Sequence, residues 1–328
     1  MNFIVNIYFH PISNSLQQYH IPILYVLILL LGGTVVYINL IKEAPIQEVV
    51  FVNDSSGEQT TITIPEFTRV KLFDLPEGIN FAGEPVPFDQ DDIIERFERE
   101  IYVNAYWNSN TIMIMKRAAK FMPIIEPILA KHGIPEDFKY VALVESGLMN
   151  VVSPAGARGF WQFMDNTAKE LKLEVSTEVD ERYHLEKATE AACQYLKKAY
   201  ARFGNWTSVA ASYNMGITGL TKRKNEQQVP KYYDLLLNEE TSRYIFRILA
   251  FKELFENPKT YGYELEKEQL YTMPKLKVIK VDSNINDLAA WSLKNNSNYK
   301  ELKLYNPWLR SNKLTIKKGT SYEIKLPA

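Results

Sequence analysis

The sequence predicts a mainly α-helical protein that ends in a small α+β module. From about residue 91 to 262, apolar side chains recur every three or four positions, which is the pattern of amphipathic helices packed into one domain. Roughly the last fifty residues instead hold two short alternating stretches, typical of β-strands, around two short helical patterns. The 328 residues are 46% hydrophobic and 23% charged, enough for one large core and a small second one.

The N-terminal part is predicted from hydropathy. After a short segment of residues 1–20, residues 21–41 form an apolar run long enough to cross a hydrocarbon layer of about 30 Å as a helix. A cleaved signal peptide is the alternative, but the run is long for one and no small-x-small site follows, so we expect an uncleaved transmembrane anchor. Residues 42–90, rich in proline and glycine, are expected to form a linker or stalk.

The helical domain is placed at residues 91–265. Prolines in first turns and glycines after last turns mark several helix ends. Helices are predicted from Asp91 onward and then over 111–122, 123–132, 135–145, 166–173, 186–203, 206–213 and 239–255. The module is placed at residues 275–328, with strands at 277–281 and 321–326 and helices at 285–293 and 299–304.

Composition argues against several classes of function. The formal net charge is −1, from 38 basic and 39 acidic side chains, and no block of basic residues occurs, so we do not expect nucleic-acid binding. The single cysteine cannot form an intramolecular disulfide. The four histidines show no metal-binding spacing, so no metal site and no cofactor is expected.

Glu145 is the main candidate for chemistry. In helical geometry Phe138, Val141, Ala142 and Glu145 share one face, so the carboxyl group continues an apolar stripe. Partial burial raises a carboxyl pKa toward neutrality, which a general acid requires. Alone, a glutamate at a helix end is more often a solvated charge.

Two further clusters follow Glu145 along the chain. Gly159-Phe-Trp-Gln162 places an amide next to two rings, and Ser212-Tyr-Asn-Met-Gly216 places a phenol and an amide at a helix end. Each cluster alone is more often a packed turn or a cap.

Together these motifs resemble the soluble-lytic-transglycosylase-like (SLT) enzymes of glycoside hydrolase family 23, most closely the membrane-bound lytic murein transglycosylase D type. The similar region runs from about residue 134 to 263. Leu143-Val-Glu-Ser146, Gly159-Phe-Trp-Gln162, Ser212-Tyr-Asn214 and Glu240-Thr-Ser-Arg-Tyr-Ile245 stand in the family's order. Ser212 replaces the usual alanine and Met215 a common serine, and we expect these departures to change packing and leave activity intact.

The resemblance implies a lysozyme-like helical fold and a peptidoglycan lytic transglycosylase. Such an enzyme cleaves the β-1,4 bond between N-acetylmuramic acid and N-acetylglucosamine and leaves a 1,6-anhydro end. Glu145 is the implied catalytic residue, first as acid and then as base. The residues expected to orient it or to bind substrate are Ser146, Gln162, Tyr213, Asn214 and Glu240.

The C-terminal module resembles a peptidoglycan-binding LysM module only loosely. Asp282, Leu302, Asn306-Pro307 and Gly319 fall where that module has like residues. Val281-Asp282 stands where the module usually has Gly-Asp, so we leave glycan binding by the module open.

The implied substrate predicts the location and the partners. Murein lies outside the inner membrane, so the chain is expected to be a single-pass inner-membrane protein with its catalytic domain in the periplasm. Expected partners are glycan strands, the membrane and other cell-wall enzymes. Two alternatives remain: a lysozyme-like hydrolase, in which water attacks, and an inactive anchored scaffold that holds glycan strands.

Overall fold

A computed structural model describes residues 49–53, 59–63 and 71–328. The predicted N-terminal segment and the predicted anchor at 21–41 lie outside these residues. Within the described ranges no helix has the length and apolar character needed to span a membrane. Residues 1–72 and 73–328 form two separate units. In the first, β1 (Val49–Asn53) pairs antiparallel with β2 (Gln59–Thr63), with Val49 opposite Thr63.

The second unit is mainly helical, as predicted. It begins with a short hairpin of β3 and β4 and continues through helices α1 to α8. The bounds are β3 (Asn80–Phe81), β4 (Glu84–Pro85), α1 (Asp91–Tyr106), α2 (Asn108–Lys131), α3 (Lys139–Ser146), α4 (Asp165–Glu170), α5 (Leu185–Phe203), α6 (Trp206–Met215), α7 (Ile217–Gln227) and α8 (Glu239–Glu256). Short 3₁₀ turns occupy Glu136–Phe138, Glu181–Tyr183, Pro258–Tyr261 and Lys267–Gln269.

Helix α3 lies in the centre of the large core. Val141 and Ala142 are fully buried and Leu143 is 1% exposed, so nearly the whole circumference of this short helix is covered. Helix α8 packs beside it with its own buried face, formed by Ile245, Phe246, Ile248 and Leu249. The end of α3, which carries Glu145, is thereby held against a rigid neighbour.

Helix α2 corrects one prediction. The expected break at Pro123 is wrong, because a single helix runs through both Pro123 and Pro127. A proline inside a helix removes one backbone hydrogen bond and costs about 3 kcal/mol. Burial of an apolar stripe that continues on both sides of the prolines offsets that cost. The side chains of this stripe, each at most 7% exposed, are Ile114, Ala118, Met122, Ile125 and Leu129.

Residues 73–90 were assigned to the linker, yet they pack against the helical core. Phe81 is fully buried and meets the Phe138 ring edge-on at 5.1 Å. The Ala82 amide donates to Asp137 at 2.6 Å, and Lys252 donates to the same carboxylate at 2.8 Å. The linker expectation therefore does not hold for this segment. Helix α7, which the sequence analysis did not predict, is a second difference.

The C-terminal part of the unit is a small α+β module. Strand β5 (Leu276–Val281) pairs antiparallel with β6 (Tyr322–Pro327), and helices α9 (Leu288–Lys294) and α10 (Tyr299–Tyr305) lie between them in sequence. Its core is formed by fully buried side chains, including Leu288, Leu302, Leu314, Ile324 and Leu326. The predicted β-α-α-β order is thus present.

The module docks on residues 174–186 of the helical part. Val179 and Tyr183 belong to the module's core cluster. Backbone bonds join the two parts directly, because the Asp180 amide donates to the Trp308 carbonyl at 2.9 Å and the Arg310 amide donates to the Glu178 carbonyl at 2.7 Å. This strand-like pairing and shared core hold the module in one orientation.

Candidate active site

Glu145 lies in the last turn of α3. The helix ends at Gly147, whose left-handed backbone (φ 58°) suits glycine and lets its N–H bond to the Leu143 carbonyl at 2.7 Å. The Gly147 carbonyl in turn accepts a hydrogen bond from Arg117 Nε at 2.7 Å. These contacts fix the helix end and so the backbone from which the Glu145 side chain projects.

Burial dominates the electrostatics of Glu145. It raises the pKa of the carboxyl group to about 7, from an ordinary value of 4.5. The hydrogen bond from the Tyr244 hydroxyl at 2.5 Å and the charge of Arg247 act in the opposite direction, and the negative charge of Glu240 adds to the rise. The carboxyl group can therefore donate a proton and later take one back near neutral pH.

Tyr244 is the hydrogen-bond partner of Glu145, and sequence reasoning did not single it out. It is 1% exposed, and burial raises the pKa of its phenol well above 10, so the hydroxyl stays protonated and donates to Glu145. A signal for this residue was present in the sequence, since Tyr244 belongs to the family-like motif at residues 240–245. Tyr244 also lies one helical turn after Glu240 on α8, on the same face as Thr241.

Tyr213 also comes close to Glu145. Its hydroxyl donates to the Trp161 carbonyl at 2.7 Å, which ties α6 to the loop after α3. Burial raises the pKa of Tyr213 well above 10, and the Glu145 charge contributes to that rise. The Trp161 indole N–H donates to Thr189 on α5 at 2.9 Å. The two predicted clusters are therefore brought together with Glu145 in space.

The loop of residues 151–163 is held by Gln162 and Gly159. The Gln162 amide nitrogen donates to the Gly159 carbonyl at 2.7 Å and to the Val151 carbonyl at 3.2 Å. Gly159 has φ +80°, and a Cβ there would lie 1.9 Å from the Arg182 carbonyl oxygen, so only glycine fits. In the described contacts Gln162 acts on the loop and not directly on Glu145.

Arg182 connects this loop to the segment on which the module docks. Its guanidinium group forms two bonds to the Asp180 carboxylate, at 2.9 and 2.7 Å, and both side chains are about 3% exposed. Such a buried bidentate pair is geometrically specific, and loss of either partner would leave an unpaired buried charge. The loop at Gly159 therefore rests on a fixed support.

Asn214 and Glu240, two of the predicted site residues, are hydrogen-bonded to each other. The Asn214 amide nitrogen donates to Glu240 Oε1 at 3.0 Å, and its amide oxygen accepts from Thr241 Oγ1 at 2.7 Å. Glu240 is exposed at the start of α8, and Asn214 is partly exposed at the end of α6. The pair thus presents oriented polar groups at the surface near Glu145.

Ser146, a predicted site residue, lies buried at the end of α3. It is 6% exposed, and its hydroxyl donates to the Ala142 carbonyl at 3.0 Å within its own helix. The hydroxyl proton of a serine that bonds back to the preceding turn is used in that hydrogen bond to the helix backbone. Its described contact therefore supports a structural role at the end of α3.

In the described ranges no three His, Cys, Asp or Glu side chains are grouped so that they could hold a metal ion. The described residues bring to the site the Glu145 carboxyl group, the buried phenols of Tyr213 and Tyr244, and the Asn214–Glu240 pair. A partly exposed acid with a pKa near 7, a neutral donor on it and oriented amides nearby suit proton transfer to and from a polyhydroxy ligand.

Two domain families match this chain. Residues 122–235 match the transglycosylase SLT domain, and residues 277–328 match the soluble lytic transglycosylase C-terminal LysM-like domain. The first range includes Glu145, Gln162, Tyr213 and Asn214, and ends before α8 begins. The second coincides closely with the module from β5 to β6.

Similar proteins were also found. Membrane-bound lytic murein transglycosylase D of Escherichia coli strain K12 is 26% identical over 183 residues, which are 54% of this chain and 40% of that protein. The same protein of Escherichia coli strain CFT073 matches equally. The chain therefore spans less than half the length of these relatives. A solved structure of an inactive mutant of the lytic transglycosylase Slt from Pseudomonas aeruginosa has 15% identity and a TM-score of 0.34, covering 46% of this chain and 26% of that one.

Proposed function

We propose that this chain, which carries a transglycosylase SLT domain and a LysM-like C-terminal domain and is homologous to membrane-bound lytic murein transglycosylase D, is a peptidoglycan lytic transglycosylase. It cleaves the β-1,4 bond between N-acetylmuramic acid and N-acetylglucosamine and leaves a 1,6-anhydromuramic end. The observation that carries the proposal is Glu145, whose pKa of about 7 makes it both a proton donor and an acceptor at neutral pH.

The reaction takes two steps at one carboxyl group. Protonated Glu145 donates to the glycosidic oxygen, the bond from that oxygen to C1 breaks, and the N-acetyl group of the sugar stabilises the positive centre. Ionised Glu145 then takes the proton of the C6 hydroxyl as O6 bonds to C1. No water is consumed, and the internal hydroxyl has the advantage of a high effective concentration over solvent.

A mechanism with a single acid–base residue fits the contacts around Glu145. Glycosidases that use two carboxylates keep a second one beside the scissile bond. Here the nearby Glu240 carboxylate accepts a hydrogen bond from Asn214, and this contact supports a role for Glu240 in positioning that amide. In this scheme Asn214 and Tyr213 position the substrate, Gln162 holds the loop and Tyr244 keeps the Glu145 carboxyl oriented.

The location proposed for the enzyme follows from its substrate. Murein lies outside the inner membrane, and residues 21–41 are apolar along the length needed for one membrane helix. We place the catalytic part in the periplasm, with that segment as the anchor. Other enzymes of the cell wall are the partners expected there.

The test is incubation of the 328-residue chain with purified murein sacculi, followed by mass analysis of the soluble products. We expect muropeptides about 18 Da lighter than hydrolytic products, since no water is added, and no product from Glu145→Gln. The matched control is Glu95→Gln, an exposed glutamate on α1, which should leave the products unchanged.

Other products would overturn the assignment in distinct ways. Products with reducing ends would show that water attacks, as in a lysozyme-like hydrolase. Retained activity in Glu145→Gln would remove that residue from the mechanism. Sacculus binding without any product would leave an inactive scaffold.

A further inference from the structure

A cavity of about 560 Å³ lies between the helical part and the LysM-like module. One wall is formed by α2 and by residues 148–150, which directly follow the end of α3. The opposite wall is formed by β5, α10 and the end of β6. Because the module is docked through backbone bonds to residues 178 and 180, both walls are fixed before any ligand arrives.

The cavity shares structure with the catalytic site. Phe160, from the Gly159–Gln162 motif, lines it. Met149 lines it as well and is only four residues from Glu145, a chain length that spans at most about 14 Å. A substituent on a sugar bound at Glu145 is therefore within reach of the cavity.

The walls are mostly apolar and combine aliphatic with aromatic side chains. Exposed apolar side chains that face it include Met149, Val278 and Leu304, which are 43%, 54% and 58% exposed. Large apolar side chains left open in a concave site are typical of ligand sites. Sugar hydroxyl groups that faced the aliphatic side chains would lose hydrogen bonds to water that these side chains cannot replace.

The charge in the cavity is positive. Lys325 is neutralised by an ion pair with Glu186. Arg117 and Lys120 also line the cavity, and neither forms an ion pair with a carboxylate in the described part of the chain. Arg117 donates one nitrogen to the Gly147 carbonyl, and the Lys120 ammonium lies 5.2 Å from the centre of the Phe121 ring. Two cations without carboxylate partners suit an anionic ligand.

We propose that this cavity binds the short acidic peptide carried by the muramic acid residues of the glycan strand. The inference rests on the proposed function, since murein supplies the peptide. Such a peptide combines free carboxylates with small apolar side chains, which match the two cations and the apolar part of the walls. Five residues extend to about 17 Å, enough to reach from a sugar at Glu145 past Met149. The module thereby becomes one half of a peptide site.

The test compares two substrates and two matched pairs of variants. Glycan strands are used with their peptides intact and after an amidase has removed the peptides. Leu304→Glu places a negative charge at the cavity wall, and its control is Leu293→Glu, which lies on α9 of the same module with its side chain 69% exposed. Lys120→Glu removes one of the cations, and its control is Lys198→Glu, on the exposed face of α5.

Wild-type kcat/KM is expected to be about tenfold higher on peptide-bearing strands than on stripped strands. Leu304→Glu and Lys120→Glu should remove most of that difference and leave turnover of stripped strands unchanged, while both controls behave as wild type. Equal wild-type turnover of the two substrates overturns the peptide site and leaves the lytic activity standing. Equal loss on both substrates in the two cavity variants also overturns it, because the cavity then serves the sugar chain or the fold.

A binding measurement tests the peptide site independently of the proposed lytic activity. The peptide released by the amidase is titrated into the full chain and into the Leu304→Glu variant by calorimetry. Heat of binding with wild type that disappears in the variant supports the site even if no strand is cleaved. Absence of binding by wild type at millimolar peptide overturns it.

Discussion

Replacement of Glu145 by glutamine should abolish activity and at the same time stabilise the fold. Burial raises the pKa of this carboxyl group to about 7, so at higher pH the protein holds a charge in surroundings that disfavour it. Glutamine has nearly the same shape and carries no charge. Its amide oxygen can still accept the hydrogen bond that Tyr244 donates to Glu145.

The magnitude follows from the pKa. Unfolding lets the carboxyl group return to its ordinary pKa of 4.5, about 2.5 pH units below the folded value of about 7. At about 1.36 kcal/mol per unit this is about 3 kcal/mol of stability that the wild type lacks above pH 7. Between pH 4.5 and 7 the folded state retains a proton that the unfolded state has released, so wild-type stability falls as the pH rises through this window.

The assay is urea unfolding of wild type and Glu145→Gln across pH 4.5 to 8.5. The stability difference in favour of glutamine should grow by about 3 kcal/mol over this range, equivalent to roughly 6–12 °C in Tm for a unit of this size. A difference that is flat with pH, or that favours the wild type at pH 8, would refute the account of Glu145 as a carboxyl group destabilised by burial.

Glu186 provides a control of opposite sign. Burial acts to raise its pKa, but hydrogen bonds and charge from His184 and Lys325 outweigh it and lower the pKa to about 2. Glu186→Gln should therefore destabilise the protein above pH 4.5, and the effect should fade as the pH falls toward 2. Because 34% of this side chain is exposed, screening reduces the expected loss to about 1–2 kcal/mol.

Two further substitutions test the surroundings of the site. Tyr244→Phe removes the hydrogen bond that lowers the Glu145 pKa, so the high-pH limb of the pH–rate profile should move to higher pH; an unmoved limb would count against this contact. Gly159→Ala should cost about 3 kcal/mol or more in urea unfolding, because its Cβ would lie 1.9 Å from the Arg182 carbonyl oxygen. Gly156→Ala, with φ +88° and open space around it, should cost only about 1 kcal/mol, and equal costs would show that the chain absorbs the clash.

Local pattern was sufficient for most helices. Helix α5 was predicted over 186–203 and is observed over Leu185–Phe203, because its apolar face and the terminal Gly204 are both readable within the segment. Helix α7 was missed because it is mostly polar and buries only Leu220, so its sequence shows little periodicity. Its stability comes from packing against α6, which no local window contains.

The same division between local sequence pattern and long-range contacts applies to the candidate active site. The position of Glu145 on an apolar face was visible from the spacing of Phe138, Val141 and Ala142, all of which are fully buried. Its hydrogen-bond partner Tyr244 is 99 residues away in the chain, and no pattern around Glu145 could have identified it. The role predicted for Ser146 stays a prediction. A serine in a last helical turn can bond outward or to its own helix, and only the tertiary structure shows that this hydroxyl bonds to its own helix.

The sequence by itself determined most of the helical segments, which glutamate stands on an apolar face and which motifs follow it. These properties depend on residues within a few positions of one another, where the 3.6-residue repeat and the capping rules act. Only the tertiary structure decided the pKa of Glu145, the packing of residues 73–90, the docking of the module on residues 174–186 and the cavity between them. Desolvation, partner choice and cavity shape depend on side chains far apart in the chain, so they exist only once the helices have packed.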